Sequence, residues 1–320
     1  MLSRVAENIY WMARYIERAE NTARLINVTS NLVLDLPKTV TFEWRNLVDI
    51  TGYSTLFDEN YTAVDDRSVV KFLVGDFRNP GSVIRSLDSA RENARTIRDI
   101  IPREAWEQIN HLCLRCKGNL QLGLSRQGRY DYLRWTILGT QTITGMLAGT
   151  MNHDAGYDFL RTGRNLERAD MTTRIIDVRS ANLLTEQPTD LAPFENIQWM
   201  SVLKSLTGYQ MYRRTMQVPV RRPDVLKFLF QDKRFPRAFY HAICEVESCL
   251  RDLPRNDGPL RLITQLQRMV SDSKPERLNQ AELHRYVDEL QAHLAEIHDQ
   301  ISATYFSVAL PAFAQAQAQG

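Results

Sequence analysis

Residues 13–28, ARYIERAENTARLINV, recur without a gap at 163–178 as GRNLERADMTTRIIDV. Eight of the sixteen positions are identical: Arg14/Arg164, Glu17/Glu167, Arg18/Arg168, Ala19/Ala169, Thr22/Thr172, Arg24/Arg174, Ile26/Ile176 and Val28/Val178. An internal repeat constrains architecture first, because both copies must build the same local structure and be housed in one molecule. Two further matches share an offset of 156. Thr51-Gly52-Tyr53 returns as Thr207-Gly208-Tyr209, and VVKFLVGDFRNP (69–80) returns as VLKFLFQDKRFP (225–236), with seven of twelve identical. The matches are collinear, so a tandem duplication is expected: residues 1–151 and 152–306 as two copies of one helical unit, followed by a frayed tail over 307–320.

At about 100° per residue, Val5, Ile9, Met12, Ile16, Ala19, Ala23 and Ile26 fall on one helical face. Glu7, Arg14, Glu17, Arg18, Asn21 and Arg24 fall on the opposite arc, and Arg164, Glu167, Arg168 and Arg174 take the equivalent arc in the second copy. Such an arc reads either as a solvated face of i,i+3 and i,i+4 ion pairs, each contributing a few tenths of a kcal/mol, or as a seam or ligand surface shared by both repeats. Solvated faces tolerate exchange of Glu for Lys or Gln. Retention of Arg-x-x-Glu-Arg-Ala in both copies therefore favours the shared role, with Glu17, Arg18, Glu167 and Arg168 shielded between the repeats.

The remaining pattern is helical, and nothing reads as a strand series. Helices are expected over 3–36 (ended by Pro37), 41–57, 65–74, from Asn79-Pro80 as cap and first position to about 100, 103–124 after Pro102, 130–151 and 279–306. Asp154 reads as a cap of the second Glu-Arg helix. Antiparallel helices with short connections make bundles. The expected class is all-α, a tandem of four-to-five-helix antiparallel units as two close-packed bundles, separate or intertwined.

The formal net charge is only +2, which argues against a dedicated nucleic-acid binder. Of the 40 basic residues only seven are Lys, and Arg is the residue suited to bidentate pairing with carboxylate or phosphate. The longest uncharged run, 135–153, is rich in Thr and Gly and falls short of a membrane span. No targeting segment is legible, and four cysteines do not make a disulfide framework. The expectation is a cytoplasmic protein with neither nucleic-acid nor membrane partners.

Phosphate-loop, nucleophile-elbow and zincin motifs are absent, and no Glu is followed by His three residues later as a di-iron helix pair needs. Cys113 and Cys116, with His111, His241, Cys244 and Cys249, could be assembled into a zinc site, but small buried Cys on helices is the simpler reading. No metal and no cofactor is expected. Arg91, Arg95 and Arg98 form a basic row with Glu92 and Asn93 beside it; it reads as a solvated face, or as an anion surface if it lies against the Glu-Arg helices. His293 and His298 are expected on the solvated side of the last helix.

Glu17-Arg18-Ala19 and Gly163-Arg164-x-Leu166-Glu167-Arg168-Ala169, together with Asn79-Pro80-Gly81-Ser82, Ala90-Arg91-Glu92-Asn93-Ala94-Arg95, and Trp106 with Asn110, resemble the bacterial Alpha-E family. The resemblance runs from residue 1 to about 306 and implies an all-helical domain with a recurring Glu-Arg motif. It also implies partners, because such proteins are typically encoded beside, or fused to, a circularly permuted ATP-grasp protein and near a transglutaminase-like peptidase.

Two functions stay open at this level. One is a non-catalytic binding or scaffold protein working with those two partners in peptide- or amide-bond formation or processing. The other is an enzyme or catalytic half-site, with a Glu as general base and Arg as anion clamp in a pocket between the repeats. The candidate ligand or interface residues are Arg14, Glu17, Arg18, Asn21, Arg24, Arg164, Glu167, Arg168, Arg174, Glu92, Asn93 and Arg95; no catalytic residue is assigned. Glutamates consumed in Arg pairs would favour the scaffold, and a carboxylate open to a void the enzyme.

Overall fold

The computed structural model describes residues 1–35, 42–180 and 192–307. Pro37 and the tail beyond 307 lie outside the described residues.

The first half contains α1 (Ser3–Asp35), α2 (Arg45–Thr51), α3 (Ser54–Asn60), α4 (Asp66–Val70) running into a π-helical turn (Lys71–Gly75), α5 (Val83–Thr96), α6 (Arg103–Gly118), α7 (Leu120–Leu124) and α8 (Arg129–Thr150). The second contains α9 (Ala155–Ser180), α10 (Ala192–Ser205), α11 (Tyr209–Met216), α12 (Arg222–Gln231), α13 (Phe239–Arg251), α14 (Asp257–Asp272) and α15 (Gln280–Ile301), which ends in a second π-helical turn (Ser302–Phe306). The class is all-α, with no strand among the described residues.

Several expected helices divide. The 41–57 helix is two, broken at Gly52, whose φ of +76° is left-handed and costs glycine little. The 65–74 helix changes to π geometry at Lys71. Asn79-Pro80 does not start α5. Ser82 caps it, accepting from the Arg85 N–H, while the Asn79 side chain accepts from the Gly81 N–H and donates to the Phe72 carbonyl. Asn79 therefore stabilises the approach to the helix, not its first turn. The helix after Pro102 breaks at Asn119. Asn279 caps α15 in a reciprocal box with Glu282.

α1 packs on α5, α8 and α9, and α9 packs on α1, α13 and α15. α5 and α8 both rest on α6, as α13 and α15 both rest on α14. The shorter helices cross over: α2 packs on α9, and α10 on α1. One continuous apolar core runs from Ala6 to Phe306 through both halves. α1 and α9 are its central pair, so of the two readings of the charged arc on α1 the shielded seam holds and the solvated face does not. Neighbours on several sides bury Glu17, Glu20, Asn21, Thr22 and Arg24 together with Ile16, Ala19 and Ala23. Close approach of the pair depends on Gly163, because a β-carbon there would collide with the backbone carbonyl oxygen of Tyr10 in α1.

Candidate functional site: an arginine-rich seam between two central helices

Where α1 and α9 cross, their Glu-Arg pairs exchange partners. Glu17 is 1% exposed and receives Arg168 as a fork, Nε to Oε1 and Nη2 to Oε2, both at 3.0 Å. Glu167 is 2% exposed and receives Arg18 in the same way, Nε to Oε1 at 2.5 Å and Nη2 to Oε2 at 2.9 Å. Each carboxylate has one more cation. Arg14 Nε donates to Glu167 Oε2 at 2.8 Å, and Arg237 Nη1 lies 2.8 Å from Glu17 Oε1. Bidentate, charge-assisted bonds of this kind are the strong ones, and without them the buried carboxylates would be costly. Burial by itself raises each carboxyl pKa. The facing arginines, Arg168 and Arg237 for Glu17 and Arg18 and Arg14 for Glu167, outweigh it and hold both at about 2.

One threonine in each copy anchors the surroundings. Thr22 donates to the Gly81 carbonyl at 3.3 Å, and Thr172 donates to the Arg237 carbonyl at 3.0 Å. Thr22 and Thr172 are 150 residues apart, and Gly81 and Arg237 are 156 apart, the two repeat offsets. The backbone arrangement is thus matched while the side chains differ. Arg237 fills its side of the seam, donating to Asn21 Oδ1 at 2.5 Å and to Glu20 Oε1 at 2.8 Å. Gly81 has no side chain to do so: the Tyr53 ring lies where its β-carbon would be, and a cavity of about 250 Å³ opens beside them. Among its lining residues are Arg14, Arg18, Thr22, Tyr53, Glu167, Asp170, Arg174 and His298.

The structure brings nine of the sequence-selected residues to the seam: Arg14, Glu17, Arg18, Asn21, Arg24, Arg164, Glu167, Arg168 and Arg174. Arg24 pairs with Glu20 and Arg174 with Asp170, both at 2.8 Å. Arg164 departs from the pattern, because its repeat-mate Arg14 holds a carboxylate while the buried Nε of Arg164 has no hydrogen-bond partner among the described residues. Burial and the neighbouring Arg168 lower its pKa. Glu92, Asn93 and Arg95 are not brought there. Glu92 and Asn93 line a separate groove between α1 and α5. Arg95 pairs with Glu92 on the surface, and Arg91 is held by Asn110 and Glu92.

His298 is a correction. It is not on a solvated face: it stacks on Tyr10 with ring centroids 5.6 Å apart, its Nδ1 is 2.8 Å from the Tyr10 hydroxyl, and burial followed by Arg14 lowers its pKa. His293 is half-buried, 3.7 Å from Glu296. The Asp154 side chain accepts from the Gly156 N–H at the start of α9. Cys113, Cys116 and Cys249 are buried free thiols, and Cys244 is half-buried. Among the described residues no group of three or more His, Cys, Asp or Glu side chains is placed to hold a metal ion.

The sequence reading missed Glu20, Asp170, Arg237 and Tyr53. Glu20 and Asp170 are carboxylates at the same place in both copies, a signal lost when only identities are counted. Arg237 was open to discovery by setting Asn-Pro-Gly-Ser against Phe-Pro-Arg-Ala at offset 156.

Comparison with known proteins agrees with this picture. The family model Alpha-E, described as a predicted alpha-helical domain with a conserved ER motif, matches residues 1–306. An uncharacterized protein of Mycobacterium bovis is 25% identical over 96% of this chain, and so is one of Mycobacterium tuberculosis strain CDC 1551; the match covers 37% of each relative's length. The chain thus spans little more than a third of the curated relatives it matches. No solved structure matches the chain. The family model covers nearly the whole chain, and the chain belongs to the Alpha-E family.

Proposed function

We propose that this Alpha-E chain is a non-catalytic helical binding or scaffold module, built by tandem duplication of 1–151 and 152–306. It works in the cytoplasm with a circularly permuted ATP-grasp protein and a transglutaminase-like peptidase in forming or processing a peptide or amide bond. The observation that carries the non-catalytic reading is the engagement of both motif carboxylates by arginine, which holds even for Glu167 where it lines the cavity. Every oxygen of Glu17 and Glu167 already accepts from arginine. A general base needs a lone pair free for the substrate proton and a pKa near the working pH. Each carboxylate already accepts three arginine contacts out of about four lone-pair sites, and carboxyls held at about 2 fail the second condition outright, which weighs against the Glu-base enzyme. The partner identities rest on the family resemblance. The curated relatives are much longer than this chain, as expected of a module that operates beside other domains. No helix among the described residues is long and apolar enough to cross a membrane.

Co-purification of the tagged chain from its native source tests this reading. The expected result is capture of an ATP-grasp protein whose ATP consumption, with acceptor supplied, changes when the helical chain is added back. Capture of neither partner, or peptide-bond chemistry by the purified chain alone, overturns it.

A further inference from the structure

The two sides of the seam are unequal. On one side Arg237 reaches Glu17, Glu20 and Asn21 from within the chain. On the other, the matched position is Gly81; the Tyr53 ring lies where its β-carbon would be, and a cavity opens beside the two. Charge is unequal as well. The seam gathers Arg14, Arg18, Arg24, Arg164, Arg168, Arg174 and Arg237 against four carboxylates, Glu17, Glu20, Glu167 and Asp170.

Within the cavity lining, Arg14, Arg18 and Arg174 face Glu167 and Asp170. Arg18 spends Nε and Nη2 on Glu167, and Arg174 spends only Nε on Asp170. Nη1 of Arg18 and both terminal nitrogens of Arg174 are not used in these bonds to Glu167 and Asp170. Guanidinium edges left over in a partly enclosed, net-positive cavity match the oxygens of a carboxylate or phosphate. Leu166, Met171 and Leu294 supply an apolar wall, and the volume suits a ligand at or below the small end of the usual range.

We propose that the cavity beside Gly81 is a binding site for a small organic anion, whose acid group is held by Arg18 and Arg174 and whose body lies against Leu166, Met171 and Leu294. The proposal deepens the reading of the chain as a binding module and rests on it. The ligand complements the surplus positive charge of the seam from outside, and Arg237 closes the matched position from inside.

Isothermal titration of the full chain with succinate and with methyl phosphate, against sodium chloride at matched ionic strength, tests it. Saturable binding of one of them is expected, and the one that binds identifies the acid group. Arg174→Gln should weaken that binding roughly ten- to hundredfold, the loss of a charge-assisted pair. Arg103→Gln, at an 85% exposed surface position, should leave it unchanged. Ala295→Trp, at an exposed position of the lining, should block binding while leaving every arginine in place. This keeps the test decisive if Arg174→Gln misfolds. Absence of saturable binding by both anions up to about 10 mM, about 3 kcal/mol of affinity, overturns the proposal. So does unchanged binding in Ala295→Trp, or equal weakening by Arg103→Gln. Lost anion binding with partner capture intact removes this inference alone; lost capture with anion binding intact removes the scaffold reading alone.

Discussion

Arg168 of α9 grips Glu17 of α1 with both prongs of its guanidinium at 3.0 Å, across 151 residues of sequence, at a carboxylate almost wholly removed from water. The reverse pair, Arg18 on Glu167, completes a reciprocal clasp between the two central helices. Breaking one member leaves a buried charge without its partner, so Arg18→Ala should destabilise the fold by roughly 3–5 kcal/mol. A loss under about 1 kcal/mol in a denaturant melt is what an exposed pair would give, and it would contradict the clasp.

The pH dependence follows from the same pairs. Glu17 and Glu167 have folded-state pKa values of about 2, below the ordinary 4.5. A depressed carboxyl contributes stability that is fully present above the unfolded value and is lost as pH falls through the folded one. Stability should therefore be flat above about pH 5 and decline from about pH 4.5 toward pH 2. Replacing both glutamates by Gln should flatten that decline. A melt series with the same acid slope in the double variant would assign it to other carboxyls.

Gly163 sits where a β-carbon would strike the Tyr10 carbonyl oxygen. Since backbone cannot swing aside as a side chain can, Gly163→Ala should force α1 and α9 apart at a cost of about 1–3 kcal/mol. Gly118→Ala, which meets nothing within 4 Å, should be neutral or slightly stabilising, because it replaces glycine in a helix. Paired thermal melts separate the two outcomes.

Thr172→Val keeps the shape of the side chain but removes the donor to the Arg237 carbonyl. Destabilisation of about 1–2 kcal/mol is expected. Thr22→Val should cost a similar amount through Gly81. If Arg237 depends on its backbone anchor, the two changes should differ in their effect on the acid slope, with the larger effect for Thr172→Val.

Burial raises all four thiols, Cys113 to about 11 and Cys249 to about 12. Because the thiolate is the nucleophile, the native chain should alkylate slowly at pH 8 and release fast-reacting thiols only on unfolding. Rapid modification of Cys113 in the folded protein would show that α6 opens readily.

The local level was legible in the sequence. The all-α class came from apolar periodicity, and the doubled Glu-Arg stretch marked Glu17, Arg18, Glu167 and Arg168 as more than surface charge, because charge patterns on solvated faces are free to change. Composition and spacing also contained the asymmetry between Gly81 and Arg237, though only in an alignment of two turns with different residues. Helix ends were less legible. The break at Gly52 depends on what packs against it: the Arg174 guanidinium lies where a β-carbon of Gly52 would be.

Periodicity assigns a residue to a face of its own helix but carries no information about which helix crosses that face. The arc from Arg14 to Arg24 is shielded, as the repeat of Arg-x-x-Glu-Arg-Ala favoured, because α5, α8 and α9 surround α1, while Glu7 at its edge stays exposed. Partner choice likewise belongs to the crossing of α1 and α9. It pairs Glu17 with Arg168, gives Glu167 to Arg18 and Arg14, leaves Arg164 Nε without a hydrogen-bond partner among the described residues, and turns His298 inward onto Tyr10. The sequence by itself determined which side chains were available and on which local face. Only the tertiary structure decided which charges lost water and which found each other, since desolvation and ion pairing depend on distances between segments far apart in the chain.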